Sequence, residues 1–151
     1  RNPEKLVRFM YAGNDHQRVR AGVQSLSSLC EIDIKDFLDI SDLLVAQRHA
    51  DINAYIRLPS RFHFHHKAIE LMAAQKPMIC FPAEVDETIE IIRRVGGVLY
   101  SCGSIEDVSM GFDSVYKNPD RKKANSILSE YSWQGQASVL EKVLKNTKDT
   151  L

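Results

Sequence analysis

The chain has 151 residues, and its 20 Lys and Arg are balanced by 20 Asp and Glu, so the formal net charge is zero. This length fits one globular domain, and the balanced charge argues against a nucleic acid partner, which requires a basic surface. Cys30, Cys80 and Cys102 form no CxxC pair and are odd in number, which argues against a disulfide framework and favours a cytoplasmic location.

Strand-like apolar runs alternate with helical patterns in the first part of the chain. The run LVRFMYAG predicts a strand that ends at Gly13, and a helix is predicted over residues 17–29. The segment EIDI predicts a short strand, and Asp39 or Ser41 can cap the following helix, DLLVAQRHA. The run INAYIRL predicts another strand, which ends at the dipeptide PS.

The same alternation continues through the middle of the chain. A helix is predicted in KAIELMAAQ and stops before Pro77, because proline cannot continue the hydrogen-bond ladder. PMICFP predicts a buried strand, and DETIEIIRRV predicts an amphipathic helix that ends at the GG pair. VLY predicts the last strand. Five strands with intervening helices predict an α/β fold, a Rossmann-like parallel sheet flanked by helices.

The last part of the chain is predicted to be a helical C-terminal tail. A first helix follows Ser104, and a second is predicted in RKKANSILSEY. Ser132 can cap a third helix, in which we interpret Trp133 as an anchor in the core. The apolar stripe of the first tail helix is Ile105, Val108, Phe112 and Val115.

The loop PSRFHFHHK contains three clustered histidines, His63, His65 and His66. It connects a strand to the next helix, and ligands of parallel α/β sheets bind at such connections. Zinc sites usually pair histidines four apart on a helix, and these histidines lack that spacing, so we expect no metal site. A serine nucleophile in a GxSxG turn is also absent from the sequence.

The helix after this loop offers a different kind of site. Backbone N–H groups at a helix start favour an anion such as a phosphate, and Lys67 could add a positive charge. Glu70, one turn further, carries a carboxylate of the kind that binds a ribose diol. A purely structural interpretation stays open, in which Glu70 complements the helix dipole and Lys67 and the histidines are solvated.

Several ordered segments carry a resemblance to a known family. They are DLLVAQRHADINAYIRLPS, FHFHHKAIELMAAQKPMICFP, ETIEIIRRVGGVLY and NPDRKKANSILSEYSW. Together they resemble the carboxyl-terminal half of retaining family 4 glycosyltransferases, which have the GT-B fold. The resemblance covers nearly the whole chain and implies a single nucleotide-sugar-binding Rossmann-like domain over residues 1–151. It also implies an acceptor domain upstream of Arg1.

The resemblance assigns roles to particular residues. Glu70 resembles the second acid of the family's Glu-x7-Glu motif, which grips the nucleotide ribose. Residues 64–67 would face the diphosphate, Gly13 resembles a glycine where the backbone approaches the donor, and residues 35–38 would lie near the base. The predicted contacts to the donor nucleotide are therefore Phe64, His65, His66, Lys67, Glu70 and Gly13.

Two positions depart from the family pattern. Phe62 stands eight residues before Glu70, where the family has the first glutamate of the motif, and His65 replaces a small residue. His63 and His65 are therefore candidates for contacts to the donor sugar. The catalytic residues are expected in the amino-terminal half, so this chain alone should not turn over. The family generally needs no metal, in line with the lack of an Asp-x-Asp motif, and no cofactor is implied.

The implied activity is transfer of a sugar from a nucleoside diphosphate donor, with retention, to a glycan, a lipid-linked or a similar acceptor. Peripheral membrane association of the full-length protein stays open. Two alternatives also stay open. The lack of the first glutamate favours a degenerate, non-catalytic Rossmann-like scaffold or binding module. A related GT-B sugar-nucleotide epimerase or phosphorylase is the other.

Overall fold

The computed structural model describes residues 7–57 and 66–118, together with positions 134, 135, 137, 138 and 141. The strands are β1 (Val7–Ala12), β2 (Cys30–Lys35), β3 (Asn53–Ile56), β4 (Met78–Phe81) and β5 (Leu99–Ser101). The helices are α1 (His16–Val23), α2 (Ile40–His49), α3 (His66–Met72), α4 (Asp86–Arg94) and α5 (Ile105–Lys117). Parallel strands alternate with helices, so the predicted α/β, Rossmann-like fold class is confirmed.

The strands lie in two sheets, which corrects the expected single sheet of five. One sheet contains β1 and β2, and the other has the order β3-β4-β5. Apolar runs reveal where strands occur, but pairing depends on hydrogen bonds between distant residues, which the pattern does not specify. The chain also divides into two compact units, residues 1–46 and 47–151, and each is described by itself.

The first unit contains β1, α1 and β2. The strands pair in parallel from Val7 opposite Cys30 to Ala12 opposite Lys35. Helix α1 ends at Val23 and a single 3-10 turn, Gln24–Leu26, follows it, so the helix predicted over residues 17–29 is too long. The segment GVQSLSS explains the early end, because glycine and serine are weak helix formers.

The core of the second unit lies between its sheet and helices α3 and α4. The strand side chains Tyr55, Met78 and Cys80 are buried in one cluster with residues of both helices. Side chains alternate along a strand, so Ile79 points to the opposite face, where α5 packs. Gly111 of α5 allows this close approach, since an added Cβ would lie 3.2 Å from the Cβ of Tyr100.

Helix α3 is shorter than the sequence predicts. The predicted helix extends over residues 67–75, whereas α3 ends at Met72. Gln75 has a left-handed conformation with φ of 58°, and its N–H donates to the carbonyl of Met72 at 2.9 Å. The chain therefore turns out of the helix before it reaches Pro77.

The other helix ends follow the sequence more closely. Gly96 follows α4 with φ of 76°, as the predicted glycine cap requires. Ser104 caps α5, where its hydroxyl accepts from the N–H of Asp107 at 3.1 Å and the Asp107 carboxylate accepts from the N–H of Ser104 at 3.0 Å. The predicted apolar stripe of α5 is only partly buried, since Ile105 and Phe112 are exposed and Gly111 is the buried residue.

The rest of the predicted tail is described only in part. The described positions 134, 135, 137, 138 and 141 are helical, within the third predicted tail helix. The helix predicted in RKKANSILSEY lies outside the described residues, as does Trp133.

Candidate functional site

Two polar clusters stand out in the described part of the second unit. The first, which we call the carboxyl-edge cluster, consists of Tyr55, Cys80, Glu84 and Ser101, near the carboxyl ends of the three paired strands. The Tyr55 hydroxyl donates to Oε2 of Glu84 at 2.9 Å, and Oε1 of Glu84 accepts from the N–H of Val85 at 3.0 Å. Ser101 Oγ accepts from the N–H of Glu84 at 2.8 Å. These bonds fix the connection from β4 to α4.

Burial governs the protonation of Tyr55 and Cys80 in this cluster. Tyr55 and Cys80 are buried, and burial raises the pKa of both side chains, with Glu84 contributing in the same direction. The pKa of the Cys80 thiol rises to about 11, so the thiol is protonated at neutral pH and is a poor nucleophile. Tyr55 and Cys80 therefore keep their protons, and the cluster serves as a structural support for the carboxyl edge of the sheet.

The second cluster, which we call the Glu70 cluster, consists of Gln47, Lys67 and Glu70. Lys67 and Glu70 share one side of α3, since they lie three residues apart. Oε1 of Glu70 accepts two hydrogen bonds, from Nζ of Lys67 at 2.7 Å and from Nε2 of Gln47 at 3.0 Å. Among the described residues, no hydrogen bond reaches Oε2 of Glu70.

Opposing effects act on the Glu70 carboxyl. Partial burial raises its pKa, but the hydrogen bonds from Lys67 and Gln47 and the charge of Lys67 outweigh burial, so the pKa lies below its ordinary value. The group is therefore ionised at neutral pH. Its side chain is 42% exposed, so a ligand can reach it from solvent. An ionised carboxylate with an unoccupied oxygen can accept hydrogen bonds from hydroxyl groups.

Of the predicted donor contacts, the structure brings Lys67 and Glu70 together. His66 is the first residue of α3, and its side chain is not described. Phe64, His63 and His65 lie outside the described residues, as does Phe62. The predicted role of the histidines therefore stays a prediction.

Helix α3 itself offers only a weak attraction for a phosphate. It has seven residues, about two turns, and the aligned dipoles of so short a helix sum to little. The carboxylate of Glu70 is therefore the more informative feature of this helix.

Gly13 and residues 35–38 belong to the first unit. The N–H of Gly13 donates to the carbonyl of Lys35 at 3.3 Å, where β1 and β2 end. A Cβ at Gly13 would lie 2.8 Å from the hydroxyl oxygen of Tyr11, the far end of a side chain that can move aside. Phe37, two residues after Lys35, has an exposed ring. An exposed aromatic ring can stack on a planar group.

Sequence patterns did not reveal Gln47, Tyr55 or Glu84 as members of polar clusters. Glu84 had a usable signal, an acidic residue directly between a buried strand and an amphipathic helix. Gln47 had a weaker one, since it lies four residues after Leu43, at a position where an amphipathic helix usually places an apolar side chain.

Metal centres and membrane-spanning helices can be assessed in the described part of the chain. There, no three His, Cys, Asp or Glu side chains come together as ligands for a metal ion. None of the described helices combines the length and the apolar character that crossing a membrane demands. A scan against protein-family models finds no match for the chain, and a search of curated proteins finds none either.

Proposed function

We propose that the chain is the donor-binding domain of a retaining GT-B glycosyltransferase and that Glu70 binds the ribose of a nucleotide-sugar. The parallel α/β fold supports this proposal, since nucleotide ligands bind at the carboxyl ends of parallel strands. The order of segments shared with family 4 glycosyltransferases supports it as well. Fold alone does not identify a function, so the more specific support comes from the Glu70 cluster.

The ionised Glu70 carboxylate is the observation that carries the proposal. Its Oε1 is held by Gln47 and Lys67, while Oε2 has no hydrogen-bond partner among the described residues. A ribose presents two adjacent hydroxyl groups, and a carboxylate has enough lone pairs to accept from both. Hydrogen bonds to a charged acceptor are stronger than those between neutral groups. Glu70 is thus suited to a diol.

Lys67 fits a second task in the same site. Its side chain is 45% exposed, and its bond to Glu70 is a surface ion pair of low strength. When a nucleotide binds, Lys67 can exchange Glu70 for a phosphate oxygen at small cost. In the proposed reaction Lys67 would thereby stabilise negative charge on the departing nucleoside diphosphate.

The remaining parts of the proposal follow the resemblance. The full-length protein would transfer the sugar, with retention, to a glycan or lipid-linked acceptor held by another domain. The reaction would take place in the cytoplasm, with a nucleotide-sugar as the donor substrate. It would need no cofactor or metal. Residues in the acceptor domain would supply the catalytic groups.

A nucleotide panel on the full-length protein tests the proposal. UDP, GDP and ADP are added separately, and the melting temperature and the dissociation constant are measured. At least one nucleotide should raise the melting temperature, and Glu70→Ala should weaken its binding by about 10- to 100-fold, the loss expected for hydrogen bonds to a charged group.

Glu90→Ala is the matched control. Glu90 also forms an ion pair with a cation three residues away on a helix, Arg93, at 3.6 Å. Its removal should leave nucleotide binding unchanged. The proposal fails if Glu70→Ala binds the nucleotide as tightly as the wild type.

A non-catalytic Rossmann-like module is the second candidate. Phe62 in place of the first motif glutamate favours it, as does the Lys67–Glu70 ion pair, which balances the charge of Glu70 without a ligand. If no nucleotide in the panel changes the melting temperature, this candidate replaces the first. Reaction of a donor without any acceptor would instead indicate an epimerase or phosphorylase.

A further inference from the structure

Gln47, near the end of α2, has a polar side chain that is buried. The residue is only 6% exposed, although glutamine is usually a surface residue. Its Nε2 donates to Glu70, but its Oε1 is buried and has no hydrogen-bond partner among the described residues. A buried acceptor without a partner destabilises the fold, so an apolar residue of similar size would suit this position better for stability alone.

The backbone of Gln47 is also fixed. Nδ2 of Asn53, the first residue of β3, donates to the carbonyl oxygen of Gln47 at 3.1 Å. Asn53 is itself buried, and its N–H donates to the carbonyl of Pro77 at 2.9 Å. This series of bonds connects the sheet to the end of α2, and through Gln47 to α3.

The two donors to Oε1 of Glu70 differ in their freedom to move. Lys67 has a long, exposed side chain, which exchanges readily between a carboxylate and water. Gln47 is buried and its backbone is fixed, so its Nε2 has a defined position. Gln47 is therefore the donor that determines which way the Glu70 carboxylate faces.

We propose that Gln47 is a positioning residue, whose buried amide holds Oε1 of Glu70 and thereby presents Oε2 to the ligand. The part of this inference that concerns a ligand rests on the proposed function, in which that ligand is a ribose diol. The hydrogen bond between Gln47 and Glu70 does not depend on the proposed function. An amide at this position leaves Oε1 of Gln47 without a partner among the described residues, which lowers stability. The same amide orients the carboxylate of Glu70. Pre-orientation of this kind improves binding, because the carboxylate is already ordered before the ligand arrives.

The test uses Gln47→Met in the full-length protein. Methionine keeps the length and volume of glutamine but cannot donate a hydrogen bond. Three quantities are measured: the pKa of the Glu70 carboxyl by NMR titration, the dissociation constant for the nucleotide, and the melting temperature. Gln47→Asn is a second variant, because its amide is too short to reach Glu70. Gln17→Met, at an exposed position of α1, is the matched control.

We expect the pKa of Glu70 to rise in Gln47→Met, since its ionised form loses a hydrogen bond. The nucleotide should bind about three- to tenfold more weakly, the effect of one lost hydrogen bond. The melting temperature should not fall, because the unpaired acceptor is removed at the same time. Gln47→Asn should show the same changes in pKa and affinity, and Gln17→Met should show none.

The outcomes separate this inference from the proposed function. An unchanged pKa of Glu70 in both Gln47 variants overturns the positioning role, whatever the nucleotide does. A raised pKa with unchanged nucleotide affinity also overturns it, because the orientation of Glu70 then has no effect on the ligand. If the pKa rises but the wild type binds no nucleotide, the contact is supported and the proposed function is wrong.

Discussion

Replacing Tyr55 by Phe removes one oxygen atom from the interior of the second unit. The Tyr55 hydroxyl donates to Oε2 of Glu84 at 2.9 Å, and the two residues are 8% and 6% exposed. After the substitution, the nearest described donor to Oε2 is the Cys80 thiol at 3.9 Å, which is a weak donor at a long distance. Water has little access to replace the lost bond. Glu84 is therefore left with an unsatisfied buried oxygen.

The expected loss of stability follows from that oxygen. A buried acceptor without a partner costs about 1–3 kcal/mol, and the phenylalanine ring fills the same space as the tyrosine ring. Tyr100→Phe is the matched control, since the Tyr100 hydroxyl donates to the hydroxyl of Ser114 at 2.9 Å in a half-buried place. Ser114 can turn its hydroxyl elsewhere, so Tyr100→Phe should cost about 0.5 kcal/mol, the low end for a neutral pair.

Urea unfolding followed by circular dichroism measures both changes. The midpoint should move to lower urea for Tyr55→Phe, while the slope of free energy against urea stays constant, because the folded and unfolded surfaces are unchanged. If Tyr55→Phe unfolds with the same free energy as the wild type, or loses no more than Tyr100→Phe, the carboxyl-edge cluster does not stabilise the fold as we infer.

Two further predictions concern Gly97 and Cys80 of the same unit. Gly97→Ala should destabilise the protein by about 1–3 kcal/mol in the same urea assay, because the new Cβ would lie 2.8 Å from Cγ2 of the buried Ile92. Gly22→Ala is the control: its new Cβ meets nothing within 4 Å, so it should stabilise α1 slightly. Burial raises the pKa of Cys80 from its ordinary 9.0 to about 11, so the stability linked to this thiol is complete below pH 9 and is lost as the pH rises towards 11. The free energy of unfolding of Cys80→Ser should fall less steeply than that of the wild type over this interval, and equal slopes would show that the thiol is not the group responsible.

The sequence predicted the local features of the fold well. Each predicted strand has a counterpart in the structure, and Gly96 and Ser104 mark helix ends as expected. These features depend on neighbouring residues, whose hydrophobic pattern and backbone preferences can be read along the chain. The predicted end of α3 is too late, because a left-handed turn has no strong sequence signal when its residue, here Gln75, is neither glycine nor asparagine.

Long-range features were harder to predict. The division of the strands between two sheets depends on pairings such as Asn53 opposite Met78, and composition does not encode register. Within the candidate site, the sequence predicts Lys67 and Glu70 because both lie near the start of one helix and Glu70 matches the resembled family's motif. Gln47 lies on another helix, so its bond to Glu70 becomes visible only when the fold is known.

The strand order β3-β4-β5 has a consequence for how the second unit assembles during synthesis. Neighbouring strands in this sheet are also neighbours along the chain, and paired residues lie about 20 to 25 positions apart. Each strand that leaves the ribosome can therefore pair with the strand made just before it, after closure of a loop of moderate length. Among the described strands, none from the first 46 residues has to join this sheet before it is complete.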